Sequence, residues 1–237
     1  MAKHKLERFA QMATFTNVIQ PSLEEVLNKD YKLKGNWKSS FFKNNNPIIL
    51  ELGCGKGEYT VGLAQRFPDK NFIGVDIKGA RMWRGASFSL RNNISNAAFL
   101  RTHIEHIASF FAPAEVAEIW ITFPDPQEKR IRAKKRLTSS NFLALYKKFI
   151  EPAGLIHLKT DNSLLYNYTH QLALHNGLEL RLNTNDLYNS GIEDQALLSI
   201  KTFYESQFLA QGIPIKYLKF TLNGHDSFLE PPFEEKC

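Results

Sequence analysis

The chain has 237 residues, with 30 Lys+Arg against 24 Asp+Glu and a formal net charge of +6. At 43% hydrophobic, 12% aromatic and 23% charged it can bury an ordinary core, which excludes an intrinsically disordered chain, and no apolar run approaches the roughly 20 residues of a membrane span. The segment Lys129 to Arg136 reads KRIRAKKR and carries six positive charges with no acid, so the whole excess sits in one cationic element of an otherwise neutral protein.

From residue 47 the chain alternates β-type runs with helix-length amphipathic segments. PIILEL (47–52) predicts a strand, 58–67 a helix, NFIGVD (71–76) a strand, 79–91 a helix and AAFLR (97–101) a weak strand. VAEIWIT (116–122) is strongly β-like. Thr138 or Ser139 is placed to cap a helix over NFLALYKKFI, closed by Pro152 and Gly154. LIHLKT (155–160) predicts a strand and 163–175 a helix, after which LELRL (178–182), a helical 199–210 and IKYLKFTL (215–222) complete the far edge. Such alternation predicts an α/β fold with a mostly parallel sheet, helices on both faces and an antiparallel strand at one edge. Residues 1–46 read as an N-terminal arm packed beside a domain of residues 47–237.

Only Cys54 and Cys237 are present, with no CxxC and no His spacing that suggests zinc, so no metal is expected. The basic N-terminus lacks an uninterrupted apolar stretch and a small-residue cleavage site, so no secretory signal is expected. A reducing, cytoplasmic setting follows. Trp37, Trp83 and Trp120 read as packing residues, although Trp37, in the arm, could lie over a polyanionic partner.

The first strand runs into Glu51-Leu52-Gly53-Cys54-Gly55-Lys56-Gly57, and a helix follows at once. Glycines permit a tight turn and close backbone approach, so a ligand can sit against the strand ends near a helix N-terminus. Glu58 stands where a nicotinamide-type turn wants its third glycine, and no Lys-Ser/Thr follows as a phosphate loop requires. The acid two residues before Gly53 resembles instead the turn of class I S-adenosylmethionine-dependent methyltransferases. There a sulfonium and an amino group replace pyrophosphate, and a nearby carboxylate is favourable. Asp76 ends the next strand, where a carboxylate accepts ribose hydroxyls.

Farther on, Pro124 and Pro126 stiffen the exit from a strand and hold Asp125 at the ligand-bearing edge, four positions ahead of the basic run. A carboxylate beside a cofactor followed by cations joins chemistry to capture of a polyanion.

ELGCGKG, GVD, FPDP with its trailing basic run, LKTD and Lys-Thr-Phe-Tyr-Glu occur in this order between residues 47 and 222. Together they resemble the bacterial tRNA (guanine-N7-)-methyltransferase family. The resemblance implies methyl transfer from S-adenosylmethionine to N7 of a variable-loop guanine in tRNA. It implies cofactor contacts at Glu51, Gly53, Gly55, Asp76, His103 and Asp125, with Asp125 also catalytic. It implies substrate contacts at Lys129, Asp161, Thr202, Phe203, Tyr204 and Glu205, and RNA contacts at Ile131, Arg132, Ala133, Lys134, Lys135 and Arg136. Three positions depart from the family pattern: Gln127 replaces a tryptophan, His103 an acid and Phe203 a lysine. Rival readings are methylation of another RNA or amine site, and RNA binding without turnover.

Overall fold

The computed structural model describes residues 2–222, 224–225 and 227–232; Cys237 lies outside the described residues. In chain order the elements are α1 (Ala2–Met12), β1 (Val18–Ile19), β2 (Ile48–Leu52), α2 (Glu58–Arg66), β3 (Asn71–Asp76), α3 (Gly79–Arg91), β4 (Ala97–Arg101) and β5 (Val116–Thr122). There follow α4 (Ser140–Tyr146), β6 (Ile150–Thr160), α5 (Ser163–His175), β7 (Leu180–Thr184), α6 (Gln195–Ser199), α7 (Phe203–Ala210) and β8 (Lys216–Thr221).

One eight-stranded sheet runs in the order β1-β4-β3-β2-β5-β6-β8-β7. Every pairing from β1 to β6 is parallel, while β8 runs antiparallel between β6 and β7. β2 is buried along its whole length and β3 and β4 up to their last residue, which is why they read as near-continuous apolar runs. Chain order reverses at β2, which lies between β3 and β5. The crevice beyond the carboxyl ends of these strands is where an open α/β sheet takes its ligand.

The structure departs from the sequence expectations in three stretches. The helix after the basic run stops at Tyr146, and Pro152 and Gly154 lie inside β6 rather than closing it. A register shift between Val116 and Glu118 leaves residues 151–154 off the regular ladder, where Pro is tolerated, while Phe149 is drawn wholly into the core. Ser139 stands at the N-cap, but its hydroxyl donates to the Lys134 carbonyl (3.2 Å), and the Ser140 amide and hydroxyl donate to Glu230 Oε1 instead (3.0 and 2.7 Å). The single helix expected over 199–210 splits at Ile200, and Thr202 restarts it by a capping box with Glu205.

Residues 1–46 hold more order than their composition suggested. α1 lies on α3, where Trp83 Nε1 donates to Gln11 Oε1 (2.7 Å) and Arg8 sits 4.8 Å above the Trp83 ring. β1 extends the sheet beside β4. Trp37 is fully buried, donates Nε1 to the Phe110 carbonyl (2.8 Å) and stacks on Phe111, so it is a core residue and not an RNA contact.

Candidate active site

The turn after β2 depends on backbone conformations that side chains resist. Gly53 and Gly57 have φ of +78° and +71°, and a Cβ on Gly57 would stand 2.5 Å from the Phe99 ring. The Gly53 and Cys54 amides donate to the Val75 carbonyl, and the Gly55 amide donates to Asp76 Oδ2 (2.9 Å). Asp76 Oδ1 takes the Lys78 amide (2.7 Å). The carboxylate at the tip of β3 therefore fixes the glycine turn of β2, and each of its oxygens keeps a lone pair for a ligand.

Glu51 is buried beneath the same turn. Its Oε2 accepts from the amide (2.8 Å) and the hydroxyl of Thr60 in the first turn of α2, and its Oε1 accepts from Thr122 Oγ1 (2.7 Å). Burial pushes its pKa up to about 7, against the lowering effect of these hydrogen bonds. The beta-strand neighbours β2 and β5 are thus joined by one carboxyl group that titrates near neutrality.

A cavity of about 460 Å³ opens at this edge. Glu51, Gly53, Gly55 and Asp76 line one wall, and Thr122, Pro124, Asp125 and Gln127 line another. Thr202, Tyr204, Lys56 and Lys135 complete its rim. Phe123 and Gln127, on either side of Pro124-Asp125-Pro126, have φ of +48° and +47°, so the loop carrying Asp125 is held in an uncommon left-handed conformation at both ends. The Gln127 amide donates to Asp125 Oδ1 (3.0 Å). The exposed Asp125 side chain is aimed by its own loop.

Several expected site residues are drawn together here, and others are not. His103 lines an adjoining depression of about 170 Å³ shared with Gly53, Asp76 and Lys135. Phe203 lies just outside the cavity, with Lys56 Nζ 4.2 Å from its ring centroid, so a cation borne on the glycine turn stands beside position 203. Lys129 and Asp161 do not line the cavity. Burial raises the pKa of Asp161, and its backbone carbonyl accepts from Lys216 Nζ (3.0 Å).

Three assignments need correction. Glu205, expected to touch substrate, is 0% exposed and pairs with the equally buried Lys159 (2.7 Å), while it also accepts from Tyr188 Oη (2.7 Å). Lys159 Nζ donates further to the Leu197 carbonyl (2.7 Å), and burial draws its pKa below the ordinary lysine value against the Glu205 charge. Ala133, expected on RNA, is turned into the protein. Arg136 is buried as well: its guanidinium donates to the Pro126 and Gln127 carbonyls (3.2 Å each) and lies 4.3 Å from the centre of the Tyr168 ring. It braces the Asp125 loop from within, and Ile131, Arg132, Lys134 and Lys135 form the exposed part of that segment.

Sequence reasoning missed four supporting residues. Thr60 and Thr122 hold Glu51, Lys159 holds Glu205, and Glu58 Oε2 accepts the Phe203 amide (2.9 Å), tying α7 to the start of α2. Phe208 of α7 also stacks on Phe123, 6.0 Å between ring centroids. Glu58, Lys159 and Thr122 lay in or beside motifs already singled out; Thr60 carried no local signal.

A doubly wound sheet with an acid-flanked glycine turn at its reversal point is the architecture of class I S-adenosylmethionine-dependent methyltransferases, and the comparisons place the chain among them. Residues 45–218 match the family described as "Putative methyltransferase". The 30S ribosomal A1408 methyltransferase from an uncultured bacterium superposes with a TM-score of 0.58 at 17% identity, over 80% of this chain and 94% of that one, a likeness of fold. The tRNA (guanine-N(7)-)-methyltransferase of Bacteroides fragilis (strain YCH46) is 53% identical over 234 residues, 99% of this chain and 92% of that protein. That of Porphyromonas gingivalis (strain ATCC BAA-308 / W83) is 53% identical over 226 residues, 94% of this chain and 92% of that protein. The chain belongs to the tRNA (guanine-N(7)-)-methyltransferase family. Among the described residues no helix is long and apolar enough to cross a membrane, and no three His, Cys, Asp or Glu side chains are grouped to hold a metal ion.

Proposed function

We propose that the chain methylates N7 of a guanine in tRNA, using S-adenosylmethionine bound in the cavity at the carboxyl edge of β2 and β3. The observation that carries this reading is the continuity, through Lys135, between a cavity walled by Glu51, Asp76 and Asp125 and an exposed basic segment, in a chain of this family. The donor set suits the cofactor: Asp76 offers acceptors for ribose hydroxyls, and Glu51 offers negative charge toward an amino group or sulfonium. That cofactor supplies an electrophilic methyl group.

Guanine N7 is a lone-pair acceptor with no proton to lose, so no general base is needed. What the protein must provide is alignment and a place for charge. As the purine becomes cationic, the Asp125 carboxylate at the cavity wall stabilises it. The same group, as an acceptor only, suits hydrogen bonds from guanine N1–H and the exocyclic amine. Tyr204, exposed at the rim, holds the base, and Thr202, whose hydroxyl caps α7, fixes where Tyr204 stands. Glu205 acts indirectly by fixing α7, on which Tyr204 rides. The exposed cations of residues 131–135 meet backbone phosphate, and the choice of guanine rests on RNA shape and on an extruded base. Residues 1–46 serve as an arm closing the β4 edge of the sheet in a catalytic domain of residues 47–237, and a cytoplasmic setting matches the substrate.

Nucleoside analysis of undermodified tRNA incubated with the protein and methyl-labelled cofactor tests the reading. All label is expected in 7-methylguanosine; label on an exocyclic amine, or none, rejects it.

A further inference from the structure

A second hollow lies beyond the cofactor cavity. About 430 Å³ in volume, it is bordered by Lys134 and Lys135, by Asn141, Phe142 and Leu145 of α4, and by Lys148. Its floor is apolar, from Phe142 and Leu145, while Lys134, Lys135 and Lys148 are exposed and make no ion pair among the described residues. Glu105, the one acid, and the Asn141 amide stand at the same hollow. Glu105, Lys135 and Phe142 also line the depression beside His103, which in turn shares Gly53, Asp76 and Lys135 with the main cavity. The outer hollow and the main cavity meet directly at Lys135.

We propose that this outer hollow is a nucleotide subsite for the tRNA strand that carries the target guanine. Its parts answer those of a nucleotide. Three cations take the flanking phosphate, the partly exposed Leu145 with the uncovered edge of the otherwise buried Phe142 gives a base an apolar contact, and Asn141 with Glu105 takes donors on its edge. A purely phosphate-reading surface needs no apolar floor, and an apolar protein groove does not need three unpaired lysines. Lys135, at both hollows, sets the course of the strand from the outer subsite toward the cavity. The subsite rests on the function proposed above and adds α4 and Lys148 to the RNA surface, outside the 131–136 segment.

The test uses the full chain with Lys148→Glu, Lys148→Arg and Asn141 replaced by a photo-crosslinking phenylalanine. Lys148→Glu is expected to raise KM for tRNA about tenfold and to flatten the logarithmic salt dependence of binding by about 0.7–0.9, one phosphate's worth, with kcat and S-adenosylhomocysteine affinity unchanged. Lys148→Arg is expected to retain the wild-type KM. Irradiation with tRNA is expected to join position 141 to RNA. A KM for Lys148→Glu within twofold of wild type, or crosslinks at 141 only to a second copy of the protein, would overturn the subsite. Crosslinking does not require turnover, so absence of 7-methylguanosine from the wild-type reaction would strike the proposed activity and leave the RNA subsite to be judged by the crosslink.

Discussion

The two walls of the cavity are built on different principles. On the glycine-turn wall, Glu51 and Asp76 are locked by hydrogen bonds from Thr60, Thr122, Gly55 and Lys78, which lie in regular elements, in the turn itself or at the N-cap of α3. On the facing wall, Asp125 is exposed and held by the amide of Gln127, inside a loop whose two ends carry positive φ. The first wall is finished before a ligand arrives, as a cofactor site should be. The second draws its order from afar, through Arg136 beneath the loop and α7 across the rim, as suits a surface that admits a large RNA.

The largest effect is expected where that remote support is cut. Glu205→Ala leaves Lys159 charged and buried without its partner, and a loss of about 3–5 kcal/mol in stability is expected from denaturant unfolding. A smaller loss would mean that α7 is held by Glu58 and Phe208 instead. On the cofactor wall, Asp76→Ala is expected to weaken S-adenosylhomocysteine about 10–100-fold by calorimetry, since charge-assisted hydrogen bonds contribute about 1.5–3 kcal/mol. Near-normal affinity would show that this wall does not carry the ribose.

Glu51 gives the walls different pH behaviour. Its pKa is raised to about 7 by burial, so the carboxyl is mostly protonated at pH 6 and mostly ionised at pH 8. A cationic ligand favours the ionised form, so affinity for S-adenosylhomocysteine, whose amino group stays charged, should rise with pH through about 7, by up to roughly tenfold. Stability has the opposite sign: an acid with a raised folded pKa costs stability progressively as pH climbs from the unfolded value of 4.5 to about 7. Glu51→Gln should flatten both profiles. The smallest effect belongs to the exposed cations, where Arg132→Ala should weaken tRNA binding evenly across sequences and lower the salt slope by about 0.7–0.9.

The same contrast explains what could be read from sequence. β3, α3, β4 and β5 matched to the residue because their apolar pattern, a continuous run in the buried strands and a helical period in α3, is local, and the glycine turn announced itself through residues that tolerate unusual φ. Glu205 and Arg136 misled because their partners, Lys159 and the Pro126 carbonyl, are brought to them only by the fold. A charge run gave no sign that one of its members turns inward. β1 escaped for a related reason: two residues pairing at a sheet edge carry no periodicity at all.

The proposed function makes Asp125, on the second wall, the residue that meets the reaction. Single-turnover transfer of labelled methyl into tRNA by wild type and Asp125→Asn, read as 7-methylguanosine beside S-adenosylhomocysteine affinity, tests this most directly. We expect a fall in rate of about 100-fold or more, the size associated with losing one preorganised charge-stabilising group, with affinity reduced less. A variant that forms 7-methylguanosine at the wild-type rate would contradict the account.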